Sequence, residues 1–249
     1  MDDMSLLVDL HRKQVRQGPG GVAETKLAIS LSGLQPSEAL TIADIGCGTG
    51  ASSMVLATQL KGQIKAIDLF PNFLSELQVR ATTTGVGDHI ETLAASMEKL
   101  PFEEGSLDAI WSEGAIYNIG FETGIRNWRH FLKRHGILAV SELTWLTSER
   151  PDALTAHWTR EYPEVDTASA KLAQLETHGY KPLGYFVLPQ ACWKENYYSP
   201  LQVEHAAFLE RHQHSEAAKA IIVAEQSEID LYEAYREYFG YGFYIAQKV

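Results

Sequence analysis

The chain has 249 residues, enough to bury about 70–75% of its unfolded surface and better suited to one α/β domain with an appended lid than to two domains. Its 32 Asp and Glu outnumber 21 Lys and Arg, for a net charge of −11, and no dense cluster of cations offsets this, so a nucleic-acid partner is not expected. Cys47 and Cys192 form no CxxC pair, which argues against a disulfide framework or a zinc site. The acidic start Met1-Asp2-Asp3-Met4 and the lack of a long apolar run argue against a leader and a membrane span, so the chain is expected to be soluble and cytoplasmic.

In chain order, residues 3–17 place Met4, Leu7, Leu10, His11 and Val15 at helical spacing and stop at Gly18-Pro19-Gly20-Gly21, which cannot continue a helix. A second helix is predicted over 22–32. From 41 to 142 short apolar runs alternate with amphipathic stretches: strands over 41–45, 63–68, 89–94, 107–112 and 135–142, helices near 51–60, 72–84 and 121–134. Such alternation requires parallel strands with right-handed crossovers, and ligands then gather beyond the strands' carboxyl ends where the strand order reverses. Further helices near 151–160 and 167–178, a strand over 180–188, a mostly helical stretch over 193–239 and an antiparallel last strand over 242–247 complete the pattern. The fold expected is a Rossmann-like, seven-stranded, mostly parallel sheet with helices on both faces. Residues 1–35 are an N-terminal helical segment, 40–145 a ligand-binding core and 146–249 a helical lid with the final strands.

The stretch Ile42-Ala43-Asp44-Ile45-Gly46-Cys47-Gly48-Thr49-Gly50 reads as strand, tight turn and helix start. Alternate glycines serve where the backbone takes positive φ or lets a ligand come into contact. Two cofactor classes use such a turn. Gly46-x-Gly48-x-x-Ala51, with Asp68 closing the next strand, passes the dinucleotide fingerprint of an oxidoreductase. Asp44 argues against it, because a carboxylate at the strand end opposes a pyrophosphate on the helix N-terminus, whereas a cofactor with an ammonium group is favoured there.

Asp44-x-Gly46-x-Gly48-x-Gly50 resembles motif I of the class I S-adenosylmethionine-dependent methyltransferases, of the small-molecule, methyltransferase-11-like type. That resemblance implies S-adenosylmethionine as cofactor, Asp44 at its methionine end and the glycines beneath it. It makes Asp68, with Leu69 after it, the ribose ligand, since a carboxylate there can accept from two hydroxyls; Asn72 and Ser75 are better placed than Asp68 to cap the next helix. Ala94 to Asp108, with Leu100-Pro101-Phe102, resembles the family's adenine segment, so Ser96 and Met97 are candidate adenine contacts, Ser96 standing where the family usually has Asp. In such enzymes the N-terminal segment folds over the cofactor. Arg16 and Gln17 are therefore candidates for its carboxylate, the alternative for Arg16 being a solvated cation at a helix end.

The methyl acceptor belongs at Ser112 to Gly120. Glu113 is the candidate catalytic and cofactor-facing residue, able to hold an amine, take a proton or complement the sulfonium, and is expected to act at the reacting end rather than on the fold. The alternative is a solvated loop carboxylate. Tyr117, with Trp158, Tyr197 and Tyr198 of the lid, forms a candidate aromatic wall for a small acceptor, the alternative being core packing. Glu142, also at a strand end, is expected one layer behind the ligand. No metal site is expected at His205, His212 and His214, which lack a carboxylate or Cys at ligand spacing. The implied function is methyl transfer to a small molecule, with a non-catalytic S-adenosylmethionine-binding regulator as the competing class.

Overall fold

The computed structural model describes residues 3–37 and 39–249; Met1 and Asp2, half of the acidic start noted above, and Glu38 lie outside the described residues. The elements are α1 (Asp3–His11), α2 (Val22–Ser32), β1 (Thr41–Ile45), α3 (Ala51–Leu60), β2 (Gln63–Asp68), α4 (Pro71–Thr83), β3 (Ile90–Ala94), β4 (Leu107–Glu113), α5 (Phe121–Trp128) and β5 (Leu132–Trp145). They continue with α6 (Asp152–Glu161), β6 (Asp166–Thr167), α7 (Ala168–Thr177), β7 (Tyr180–Val187), α8 (Gln190–Trp193), α9 (Ser199–Arg211), α10 (Glu216–Tyr235) and β8 (Phe239–Lys248).

The sheet runs β3-β2-β1-β4-β5-β8-β7, and the two-residue β6 pairs β5 outside that path. Strands β1 to β5 pair in parallel, while β8 is antiparallel to both β5 and β7. The order reverses between β1 and β4, so the ends of β1, β2 and β4 share one edge. Both faces are covered. Leu6 and Leu10 of α1, Ile42, Trp111, Phe208 and Ile229 belong to one buried cluster, and Ile45, Ile110, Phe121 and Trp128 to another. Each such side chain contributes about 1.5–3 kcal/mol by leaving water.

Several boundaries differ from the sequence expectation. The first helix ends at His11 instead of 17, and Arg12 to Gly21 run as turns toward α2. The helix expected to 134 stops at Trp128 and passes through a short 3₁₀ turn, Arg129–Phe131, before Leu132 opens β5. Phe121, Ile125 and Trp128 keep helical spacing with Leu132, but Leu132 pairs with Leu107 of β4 before the register shifts to Ala109↔Ile137. Helix α4 is capped by neither Asn72 nor Ser75: Pro71 is its first residue, and the Phe70 N–H donates to Asp68 Oδ1 at 2.9 Å. From α8 to α9 the helix is continuous through a π-helical section, Lys194–Tyr198, a wider turn of the kind found at functional sites.

Candidate active site

The turn after β1 takes the conformation that its glycines imply, with φ of 72° at Gly46, 55° at Gly48 and 86° at Gly50. A Cβ on Gly46 would lie 2.3 Å from Ala115 Cβ, and one on Gly48 2.1 Å from Gln17 Oε1. The space above the turn is therefore shaped by the β4 loop on one side and the N-terminal segment on the other. Asp68 holds the neighbouring loops together: its Oδ2 accepts the Gly48 N–H at 2.9 Å and its Oδ1 the Phe70 N–H. Burial raises its pKa against these two bonds, and each oxygen retains acceptor capacity for a ligand hydroxyl.

Asp44 is fully buried, and its Oδ2 accepts from Ser52 and Ser53 at 2.7 and 2.6 Å while Oδ1 has no partner among the described residues. Burial pushes its carboxyl up to about 7, against the two serine bonds. An orphaned carboxylate oxygen under a glycine turn is a costly arrangement unless a donor or a positive charge lies nearby.

The segment between α1 and α2 is fastened over this turn. Gln17 donates to Thr49 Oγ1 at 3.1 Å and accepts the Thr49 N–H at 2.8 Å. Arg80 donates to the carbonyls of Lys13, Gln14 and Val15 and to Thr49 Oγ1. Arg16 is not a solvated cation: its side chain is 8% accessible and pairs at 2.8 Å with Glu113, itself 5% accessible. Glu113 accepts in addition from Thr25 Oγ1 at 2.7 Å and Trp111 Nε1 at 3.0 Å. With three donors on its two oxygens, Glu113 is not the free carboxylate that a general base requires. It ties α2 and the N-terminal segment to the end of β4.

One cavity of about 540 Å³ lies above the sheet edge. Gly46, Gly48 and Gln17 floor and close one part, Asp68, Leu69 and Phe70 a second, and Ser96 and Met97 a third. The Met97 carbonyl accepts from Trp128 Nε1 at 3.0 Å, which pins that loop to the core. Met4, Leu7 and His11 of α1 roof it. The far end is formed by Tyr117, Asn118, Tyr197, Glu225 and Glu228. Tyr117 is 42% accessible, yet burial raises the pKa of its hydroxyl: its accessible area faces an internal space.

Of the residues expected at the site, Gln17, Gly46, Gly48, Asp68, Leu69, Ser96, Met97, Tyr117 and Tyr197 line the cavity; Arg16, Asp44, Gly50, Glu113, Trp158 and Tyr198 do not. Gly50 instead leaves room for Leu77, whose Cδ1 a Cβ would meet at 2.0 Å. Trp158 packs edge-on against Phe239, and Tyr198 donates to Glu228 Oε1 at 3.0 Å, one layer behind the wall. Glu142 is enclosed beside Lys171, 3.9 Å away, with burial pushing its carboxyl up to about 7. His11, Glu225 and Glu228 were not singled out by sequence; the only local signal for the acids is their spacing of three on one helix.

Residues 43–140 match the model of the methyltransferase domain family. This stretch, less than half of the chain, resembles the class I S-adenosylmethionine-dependent methyltransferases. Among curated proteins, the 27-O-demethylrifamycin SV methyltransferase of Amycolatopsis mediterranei is 25% identical over 63% of this chain and 58% of its own length. An uncharacterized protein of Haemophilus influenzae is 27% identical over 52% of each. The chain spans about half the length of the curated relatives it matches. Among solved structures, an S-adenosylmethionine-dependent methyltransferase from Geobacter sulfurreducens, in complex with S-adenosyl-L-homocysteine, superposes with a TM-score of 0.84 at 19% identity, covering 99% of this chain and 98% of the other. The [4+2]-cyclase SpnF shares the fold at a TM-score of 0.76 and 19% identity, over 98% and 92%. At these identities the likeness is one of fold, and the cyclase shows that the fold also carries other chemistry.

The residues present fit the cofactor of that family, S-adenosylmethionine. The glycine turn is a cradle that a Cβ would fill, Asp68 sits beside it with acceptor capacity left, and the unpartnered Asp44 Oδ1 lies beneath. The β2 end and the loop after β3 line the same cavity, at the parallel sheet's switch point. Among the described residues no helix is long and apolar enough to cross a membrane, and no group of His, Cys, Asp and Glu could hold a metal ion.

Proposed function

We propose that this chain transfers a methyl group from S-adenosylmethionine to a small-molecule acceptor held beneath α1 and α10. The observation that carries this is the continuity of one cavity from Asp68 and the glycine turn to Tyr117, Tyr197 and Glu228; its volume lies within the roughly 300–1,000 Å³ usual for small-molecule sites. In this reading Asp68 accepts from the ribose hydroxyls, Ser96 and Met97 border the adenine, and Gln17 with Gly46 and Gly48 closes on the methionine portion.

When bound, the cofactor supplies an electrophilic methyl group on a positively charged sulfur that departs as a neutral thioether. The leaving group is already good, so the protein's main contribution is alignment: holding donor and acceptor in line at near-contact distance is worth up to about 7–11 kcal/mol of barrier. Helix α1 excludes water from the reacting end, and Tyr117 and Tyr197 flank the acceptor. Arg16 and Glu113 act one layer out, as positioning residues that set the β4 end and the covering segment. The test is incubation with methyl-labelled S-adenosylmethionine and a small-molecule cell extract, followed by mass spectrometry. The expected result is label in a small product matched by S-adenosylhomocysteine formation. Cofactor binding with no such formation above a protein-free blank would make the chain a non-catalytic binder instead.

A further inference from the structure

The acceptor end of the cavity has a definite electrostatic character. Glu225 and Glu228, three residues apart on α10, both line it, and none of its lining residues is Lys or Arg. Glu225 Oε1 bonds His11 Nε2 at 3.2 Å, but among the described residues its Oε2 is buried without a partner, as is His11 Nδ1 on a residue only 6% accessible. Glu228 uses one oxygen to accept from Tyr198. Burial and the nearby Glu225 charge both raise the Glu228 pKa. Tyr197 stacks on His11 at 6.1 Å, and Tyr117 turns accessible surface toward the same space. Two incompletely partnered acids beside tyrosine rings, in a cavity with no neutralising Lys or Arg among its described lining residues, form a poor site for an anion and a good one for a cation.

We propose that the methyl acceptor is a small amine, held as its ammonium ion by Glu225 and Glu228 between Tyr117 and Tyr197, and methylated on nitrogen. This rests on the methyl-transfer reading above. The ammonium gives one proton to the Glu228 carboxylate, freeing the nitrogen lone pair. That pair forms the new N–CH₃ bond as the S–CH₃ bond breaks, and the electrons of the broken bond stay on sulfur as the thioether lone pair. The methylated amine leaves as an ammonium ion, and Glu228 returns its proton to solvent. A raised carboxyl pKa suits this transfer, because the acid is a better base for an ammonium than an exposed glutamate.

The test is calorimetry on the full chain saturated with S-adenosylhomocysteine, using phenethylamine, 2-phenylethanol and 3-phenylpropionate as cationic, neutral and anionic probes of similar shape. The amine is expected to bind at least about tenfold more tightly than the alcohol, the carboxylate not measurably, and the double variant Glu225→Gln/Glu228→Gln to lose that preference. S-adenosylhomocysteine affinity in the variant serves as the check on folding, since neither residue belongs to the donor end. No preference for the amine, including no binding of any probe, overturns the proposal, as does a preference that survives in the double variant. Failure of the methyl-donor reading is separately visible as failure to bind S-adenosylhomocysteine at the outset, and the probes are then titrated against the chain alone.

Discussion

Glu113 shows how a side chain at the right place can hold the wrong job. Its position after β4, at the ligand edge, is legible in the sequence, but the three donors that occupy it are not: Arg16 lies 97 positions away and Thr25 88. Chain proximity carries no signal for such a pair. With both partners buried, breaking it leaves an uncompensated charge, a loss of about 3–5 kcal/mol. Glu113→Gln is therefore expected to lower the unfolding free energy by about 3–5 kcal/mol, read as a clear fall in the denaturant midpoint. A midpoint equal to wild type, with reduced turnover, would return Glu113 to the reacting end. The glycine turn and Asp68 were legible because their chemistry is local: positive φ at Gly46 and Gly48 and a carboxylate at a strand end are encoded within a few residues.

At the scale of elements, β1 to β4 read well because short apolar runs between helices have few alternatives, whereas β5 and β8 extend beyond the expected 135–142 and 242–247 and β6 was not expected. The α5 boundary did not read well, since Leu132 continues the helical period while belonging to β5. The acids of α10 were illegible for a similar reason. On a long helix rich in Glu, spacing alone cannot tell a solvated face from a cavity wall, and only the packing of α1 on α9 and α10 decides it. The covering segment before α2 depends on Arg80, which reaches three of its carbonyls from α4. Arg80→Ala should free residues 12–17, raising their amide exchange and weakening S-adenosylhomocysteine binding by about tenfold, a loss of about 1.4 kcal/mol, while exchange in β1 and β4 stays slow. Unchanged exchange and affinity would show that the segment stays in place without this anchor.

For the whole molecule, the sheet supplies a fixed floor and α1 with the C-terminal helices a roof, and the chemistry lies in the space between. Everything proposed here requires that this space take S-adenosylmethionine, and the dinucleotide fingerprint around Gly46 offers the sharpest rival. Calorimetric titration of the wild type and Asp68→Ala with S-adenosylhomocysteine and with NADH tests it directly. The prediction is saturable S-adenosylhomocysteine binding that weakens at least about tenfold in Asp68→Ala, as expected for loss of charge-assisted bonds of about 1.5–3 kcal/mol each, and negligible NADH binding. Tight NADH binding, or an S-adenosylhomocysteine affinity unchanged in a folded Asp68→Ala variant, would contradict it.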